Sequence, residues 1–131
     1  MIIDFHAQAT AEKQTLFAMA SGKCSAIIGS HNRIQTADEK INSGTAFITD
    51  AGRTGSSMSV GGCDVESRIK EYLTGIPDWT RDAWEKPELQ GLMVELADDG
   101  KAVSVERIRY PVESIVKPDE VPPDEATSDN E

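Results

Sequence analysis

Two short runs of β-branched residues, MIIDFH at residues 1–6 and CSAIIGS at residues 24–30, flank a stretch with helical spacing. That order constrains the fold more than any other feature of the chain. Runs of this length suit buried strands, and the stretch between them, AQATAEKQTLFAMASG, reads as a helix. Thr10 is its expected N-cap, Leu16, Phe17, Met19 and Ala20 its apolar side, and Gly22 its stop. Strand, helix and strand within 30 residues predict a parallel βαβ unit, because a parallel partner strand requires a crossover.

Downstream, GTAFITDAG at 44–52 reads as a third strand, and it enters the glycine- and hydroxyl-rich stretch GRTGSSMSVGG at 52–62. This stretch cannot build a core and reads as a flexible connection. Its backbone N–H groups could cradle phosphate, although it matches no nucleotide-binding loop. DVESRIKEYLTG reads as a second helix: Val65, Ile69, Tyr72 and Leu73 fall on one face, and Gly75 ends it. IPDWTRDAWEKPE is irregular, with Trp79 and Trp84 as packing anchors. Alternation on either side of Asp98-Asp99-Gly100 predicts an antiparallel hairpin over residues 89–110. The expected order is βαββαββ, an α/β core ending in an antiparallel hairpin.

From Glu113 onward seven acids face one lysine, so net −6 of the chain's −10 lies in this segment and −4 in residues 1–112. With Pro118, Pro122 and Pro123, this predicts a domain at 1–112 and a disordered acidic tail at 113–131. An acidic body argues against duplex nucleic acid as a partner, since such binding needs clustered Lys and Arg. No run reaches the roughly 18–20 apolar residues of a membrane helix. The start has neither a basic segment nor a long apolar one, so a cytoplasmic protein with no membrane partner is expected. Cys24 and Cys63 lack metal-site spacing and read as free thiols.

His6 and His31, the only histidines, both follow strands of the βαβ unit. Ligands of open α/β sheets collect at the carboxyl ends of such strands. The two imidazoles are therefore expected near one another, as structural residues or as metal ligands. A metal would need further donors, and Asp4, on the His6 side of its strand, Asp38 and Asp50 are the carboxylates at hand.

Four segments, DFHAQATAEK, GSHNRIQTADEKI, GTAFITDAGRTG and EYLTGIP, in this order and spacing, resemble the YmdB-like cyclic-nucleotide phosphodiesterases, which are calcineurin-like metallophosphoesterases. The resemblance covers residues 2–112. It implies one half of an α/β/β/α sandwich, and a two-metal centre of iron or manganese acting on small-molecule phosphodiesters. His6 and His31 would be metal ligands, with Asp4 and Asp50 supporting them. Arg33 stands where the family has a further metal-binding histidine; a guanidinium cannot ligate a metal, so Arg33, with Asn32, becomes a phosphate contact. The family's GD, GEN and GNH motifs are absent. The expectation is a truncated relative, inactive or impaired alone, with an incomplete metal set or no metal at all. Alternatively, the fold serves as a non-catalytic assembly module. A half-sandwich would bare an apolar face, so a homo-oligomer or a partner protein is expected to cover it.

Overall fold

The computed structural model describes residues 1–77 and 81–113. The elements are β1 (Ile2–His6), α1 (Thr10–Ala20), β2 (Ala26–Ser30), β3 (Lys40–Asn42), β4 (Thr45–Ile48), β5 (Gly55–Ser56), α2 (Val65–Thr74), β6 (Pro87–Leu96) and β7 (Ala102–Pro111). Trp79 and the acidic tail beyond Glu113 lie outside the described residues.

β1, β2 and β4 run parallel, and β3 adds antiparallel to β4, giving a sheet in the order β1-β2-β4-β3. A second, antiparallel sheet has the order β5-β6-β7. The expected βαβ unit and hairpin are present, the hairpin turning at Asp98 to Gly100. Two short strands go beyond the expected order. β3 forms because Ser43 and Gly44 both adopt positive φ, 52° and 78°, the geometry of a two-residue hairpin turn. β5 forms inside the glycine-rich stretch, where Gly55 and Ser56 pair with Glu88 and Pro87. That stretch is therefore an ordered arm of the second sheet rather than a loose connection.

The core is built on both faces of the first sheet. On one, Phe17 of α1 stacks on Phe47 of β4 at 4.4 Å between ring centroids, with Ile27 and Cys24 beside them. Burying each of these large side chains contributes about 1.5–3 kcal/mol. On the other face, Ala26, Ala46 and Ala102 pack together with Ile41, Val94 and Val105. Three alanines at this contact let β7 of the second sheet come close to β2 and β4. The described layers are thus helix, sheet and sheet.

Several local expectations differ in detail. The N-cap of α1 is Ala9, with extended backbone, and Thr10 is already helical; the Ala9 N–H donates to the Glu12 carboxylate at 3.3 Å. The expected buried strand at the start is an edge strand with one face exposed: Ile2, Asp4 and His6 share that face, and the second sheet packs on β3 and β4 instead. α2 has the expected amphipathic pattern, the Asp64 carboxylate accepting from the Ser67 N–H at 2.9 Å and Gly75 closing the helix. It nevertheless buries no residue: Ile69 is 53%, Tyr72 83% and Leu73 81% exposed. α2 therefore does not form a fourth layer on the described residues. Both cysteines are free and buried. No helix among the described residues is long and apolar enough to cross a membrane.

Candidate functional site

Parallel pairing of β1 with β2 sets His6 opposite Ser30, so the two strands end level. The next residue, His31, turns back with φ 135°. This brings His31 Nδ1 to 3.0 Å from His6 Nε2, while His6 Nδ1 lies 3.0 Å from Ser30 Oγ. The rings meet edge to face at 5.0 Å between centroids. Each contact takes one proton, and because the Ser30 hydroxyl can either donate or accept, the chain can run in either direction between neutral rings.

Asp50, just past β4, is fully buried and works as the clamp beneath this pair. Its Oδ2 accepts from the Asn32 N–H at 2.7 Å and lies 3.4 Å from Lys13 Nζ of α1; its Oδ1 accepts from the Gly52 N–H at 3.0 Å. One carboxylate thereby holds both the loop that follows β2 and the loop that follows β4. Lys13 is itself fully buried, so the pair is shielded from solvent. A Cβ on Gly29 would stand 1.9 Å from the Thr49 carbonyl oxygen, so β2 and β4 approach this closely only with glycine there.

Asp38 organises the second turn of the loop. Its carboxylate accepts from the Thr36 hydroxyl at 2.6 Å, the Thr49 N–H at 3.1 Å and the Thr49 hydroxyl. Burial works to raise its pKa, but the hydrogen bonds from Thr36 and Thr49 outweigh burial and hold it below the ordinary 3.8. Both Asp38 and Asp50 are therefore engaged in holding backbone. Asp4 is exposed on the His6 side of β1.

Arg33 has φ 60°, and its Nη1 donates to the Gly61 carbonyl at 3.1 Å. It lines a cleft of about 440 Å³ with Arg53, Arg107, Arg109, Glu88 and Gln90. The sequence offers a partial signal for this cleft, since Arg107 and Arg109 alternate on one face of β7. Nothing local to Arg53 announces that the glycine-rich arm will bring it there. Lys13 is equally hidden, because helical periodicity alone places it without showing the carboxylate that it meets.

As a metal site the arrangement supplies two imidazole nitrogens. No group of three or more His, Cys, Asp or Glu side chains that could hold a metal occurs among the described residues. The residues fit two donors of a larger ligand set and do not fit a complete centre.

The sequence profile of the YmdB-like protein family matches residues 1–108. The chain belongs to the YmdB-like family. That family is part of the metallophosphoesterase superfamily. The chain is 43% identical over 110 residues to the 2',3'-cyclic-nucleotide 2'-phosphodiesterase of Bacillus subtilis (strain 168), covering 82% of this chain and 42% of that protein. A crystal structure of a hypothetical protein from Thermus thermophilus superposes with a TM-score of 0.78 at 31% identity, over 84% of this chain and 44% of that one. That of a novel phosphatase from Mycoplasma pneumoniae gives 0.77 at 31% identity, over 82% and 40%. The chain thus spans less than half the length of these YmdB-like relatives, and its mixed α/β architecture of two sheets and few helices matches theirs.

Proposed function

We propose that this YmdB-like chain supplies one arm of a metal-dependent phosphodiester-hydrolysing centre and is inactive or impaired alone. The observation that carries this reading is the contact between His6 and His31 at the carboxyl ends of two parallel strands, clamped from below by Asp50. Two adjacent imidazoles on a rigid sheet are a preorganised pair of donors, and iron or manganese is the metal class that the family implies. The remaining donors would come from polypeptide outside the described residues. Arg33 and Asn32 lie on the same loop, where a cation and an exposed amide can meet phosphate oxygens. Asp50 would act by positioning this loop, and Asp4 by orienting the His6 ring. The substrate class is a small phosphodiester, as the name of the Bacillus relative suggests.

The test is titration of the purified chain with Mn²⁺, read by electron paramagnetic resonance and by elemental analysis after desalting, beside His6→Ala and Arg33→His variants. Saturable Mn²⁺ binding that His6→Ala abolishes and Arg33→His strengthens supports the reading. Binding indifferent to His6→Ala removes it.

A second reading is favoured by α2. Its apolar residues Ile69, Tyr72 and Leu73 are exposed together, which suits an assembly module that docks on a second copy or another protein.

A further inference from the structure

The second sheet has an inner face that changes character along its length. Where it meets the first sheet, Val94 and Val105 pack on the alanine contact. Two and four residues farther along the same face of β7 come Arg107 and Arg109, and on β6 Leu92 lies opposite Arg107 and Gln90 opposite Arg109, with Glu88 two residues beyond Gln90. Arg33 and Arg53 reach the same space from the loops after β2 and β4. Four of the six arginines of a chain with net charge −10 thus converge on one cleft.

Their partners divide them. Arg107 donates to Glu39 at 2.7 Å, and Arg109 donates to Glu88 at 2.7 Å. These ion pairs account for both strand arginines. Among the described residues, Arg33 and Arg53 hydrogen-bond to neutral groups: the Gly61 carbonyl for the former, the Ser56 carbonyl and the Ser59 hydroxyl at 2.6 Å for the latter. The Nε–H of Arg53 is buried with no partner among the described residues. Arg53 is also held in place, because its own backbone N–H donates to Gln90 at 3.0 Å and Gln90 in turn donates to Glu88. Gln35 completes the floor by donating to the carbonyls of Gly91 and Ile108 at 2.9 and 3.2 Å. Two guanidiniums without a carboxylate hydrogen-bond partner among the described residues sit on a hydrogen-bonded floor, with Ser57 and Ser59 at the wall; four arginines against Glu39 and Glu88 leave an excess of two positive charges.

We propose that this cleft binds the dianionic phosphate group of a phosphomonoester. The charge matches, guanidiniums bind phosphate oxygens through paired N–H groups, and the 440 Å³ space leaves room for the esterified organic part. The cleft needs no metal for this binding, and it shares only Arg33 with the phosphodiesterase reading.

The test is calorimetric titration of the intact chain with inorganic phosphate in the presence of EDTA and at constant chloride-balanced ionic strength. The side-chain Nε–H resonance of Arg53 is followed by NMR in the same buffer. Saturable heat at millimolar phosphate or below, together with a shift of the Arg53 Nε–H signal, is expected. Arg53→Gln should weaken binding at least tenfold, and Arg68→Gln, on α2 and paired with Glu71 outside the cleft, should leave it unchanged. Equal losses from both substitutions would reduce the effect to overall charge and overturn the proposal. Should Arg53→Gln not fold, the unmodified chain decides: an unmoved Arg53 signal at saturating phosphate overturns it. Because EDTA removes metals throughout, phosphate binding can succeed where metal loading fails, and the reverse.

Discussion

Lys13 Nζ and Asp50 Oδ2 lie 3.4 Å apart with both side chains fully buried, and they tie the first helix to the loops beneath the histidine pair. Removing one member strands the other charge out of water, which costs about 3–5 kcal/mol. Lys13→Met and Asp50→Asn are each expected to lower the urea midpoint by that equivalent. Lys13→Met with Asp50→Asn should cost less than the two single changes added together. Strict additivity in this double-mutant cycle would show that the pair does not interact.

Acid sensitivity follows from Asp38. Hydrogen bonds hold its folded pKa below the ordinary 3.8 despite burial. A depressed carboxylate stabilises the fold fully above its unfolded pKa, and that contribution is lost as pH falls through the folded pKa. Urea midpoints should therefore drop below about pH 4. Thr49→Val, which removes the hydroxyl bonded to Asp38, should be less stable at neutral pH and lose less on acidification. Parallel pH profiles for the two proteins would contradict this assignment.

His6 and His31 are exposed at strand ends, so their removal should separate site from scaffold. His6→Ala and His31→Ala are expected to change stability by less than about 1 kcal/mol, as surface substitutions do. Thermal melts of both variants check it, and a loss of several kcal/mol in either would mark the pair as a structural element.

The face of α2 that the other described residues leave exposed predicts concentration-dependent association. Sedimentation velocity should show the chain moving from monomer toward larger species as concentration rises, and Leu73→Lys should keep it monomeric with an unchanged far-ultraviolet spectrum. A monomer at every concentration would mean that this face needs no cover.

A Cβ at position 29 would meet the Thr49 carbonyl at 1.9 Å, and backbone cannot step aside as a flexible side chain can. Gly29→Ala should therefore destabilise by more than the roughly 1–3 kcal/mol typical of overpacking, or prevent folding, as judged by urea denaturation. Near-neutral stability would show that β2 and β4 can separate.

Much of this architecture is legible in the chain because it is written in local spacing. The βαβ unit, the Asp-Asp-Gly hairpin and the amphipathic pattern of α2 each need only a short run of neighbouring residues to define them. So does the convergence of His6 and His31, once two parallel strands are recognised. What escapes depends on partners distant in sequence. β5 is a strand only because Pro87 and Glu88 lie beside it, and β1 is half exposed because the second sheet packs on β3 and β4. β3 is within reach of sequence reasoning, since Ser43-Gly44 carries the turn chemistry. The arginine cleft is the clearest loss: residues 33, 53, 107 and 109 come from three separate segments, and no period relates them.

The two sheets also differ in how far the chain must travel to close them. β6 and β7 meet across a turn at Asp98 to Gly100, whereas Ile2 must find Ala26, and Ala26 must find Ala46. Local closure is fast and parallel pairing is slow. During refolding the hairpin bearing Arg107 and Arg109 should thus be in place while the ends of β1 and β2 are still apart. The histidine pair would then be among the last features to form, and a chain released too early would carry half its cationic cleft and none of its imidazole site.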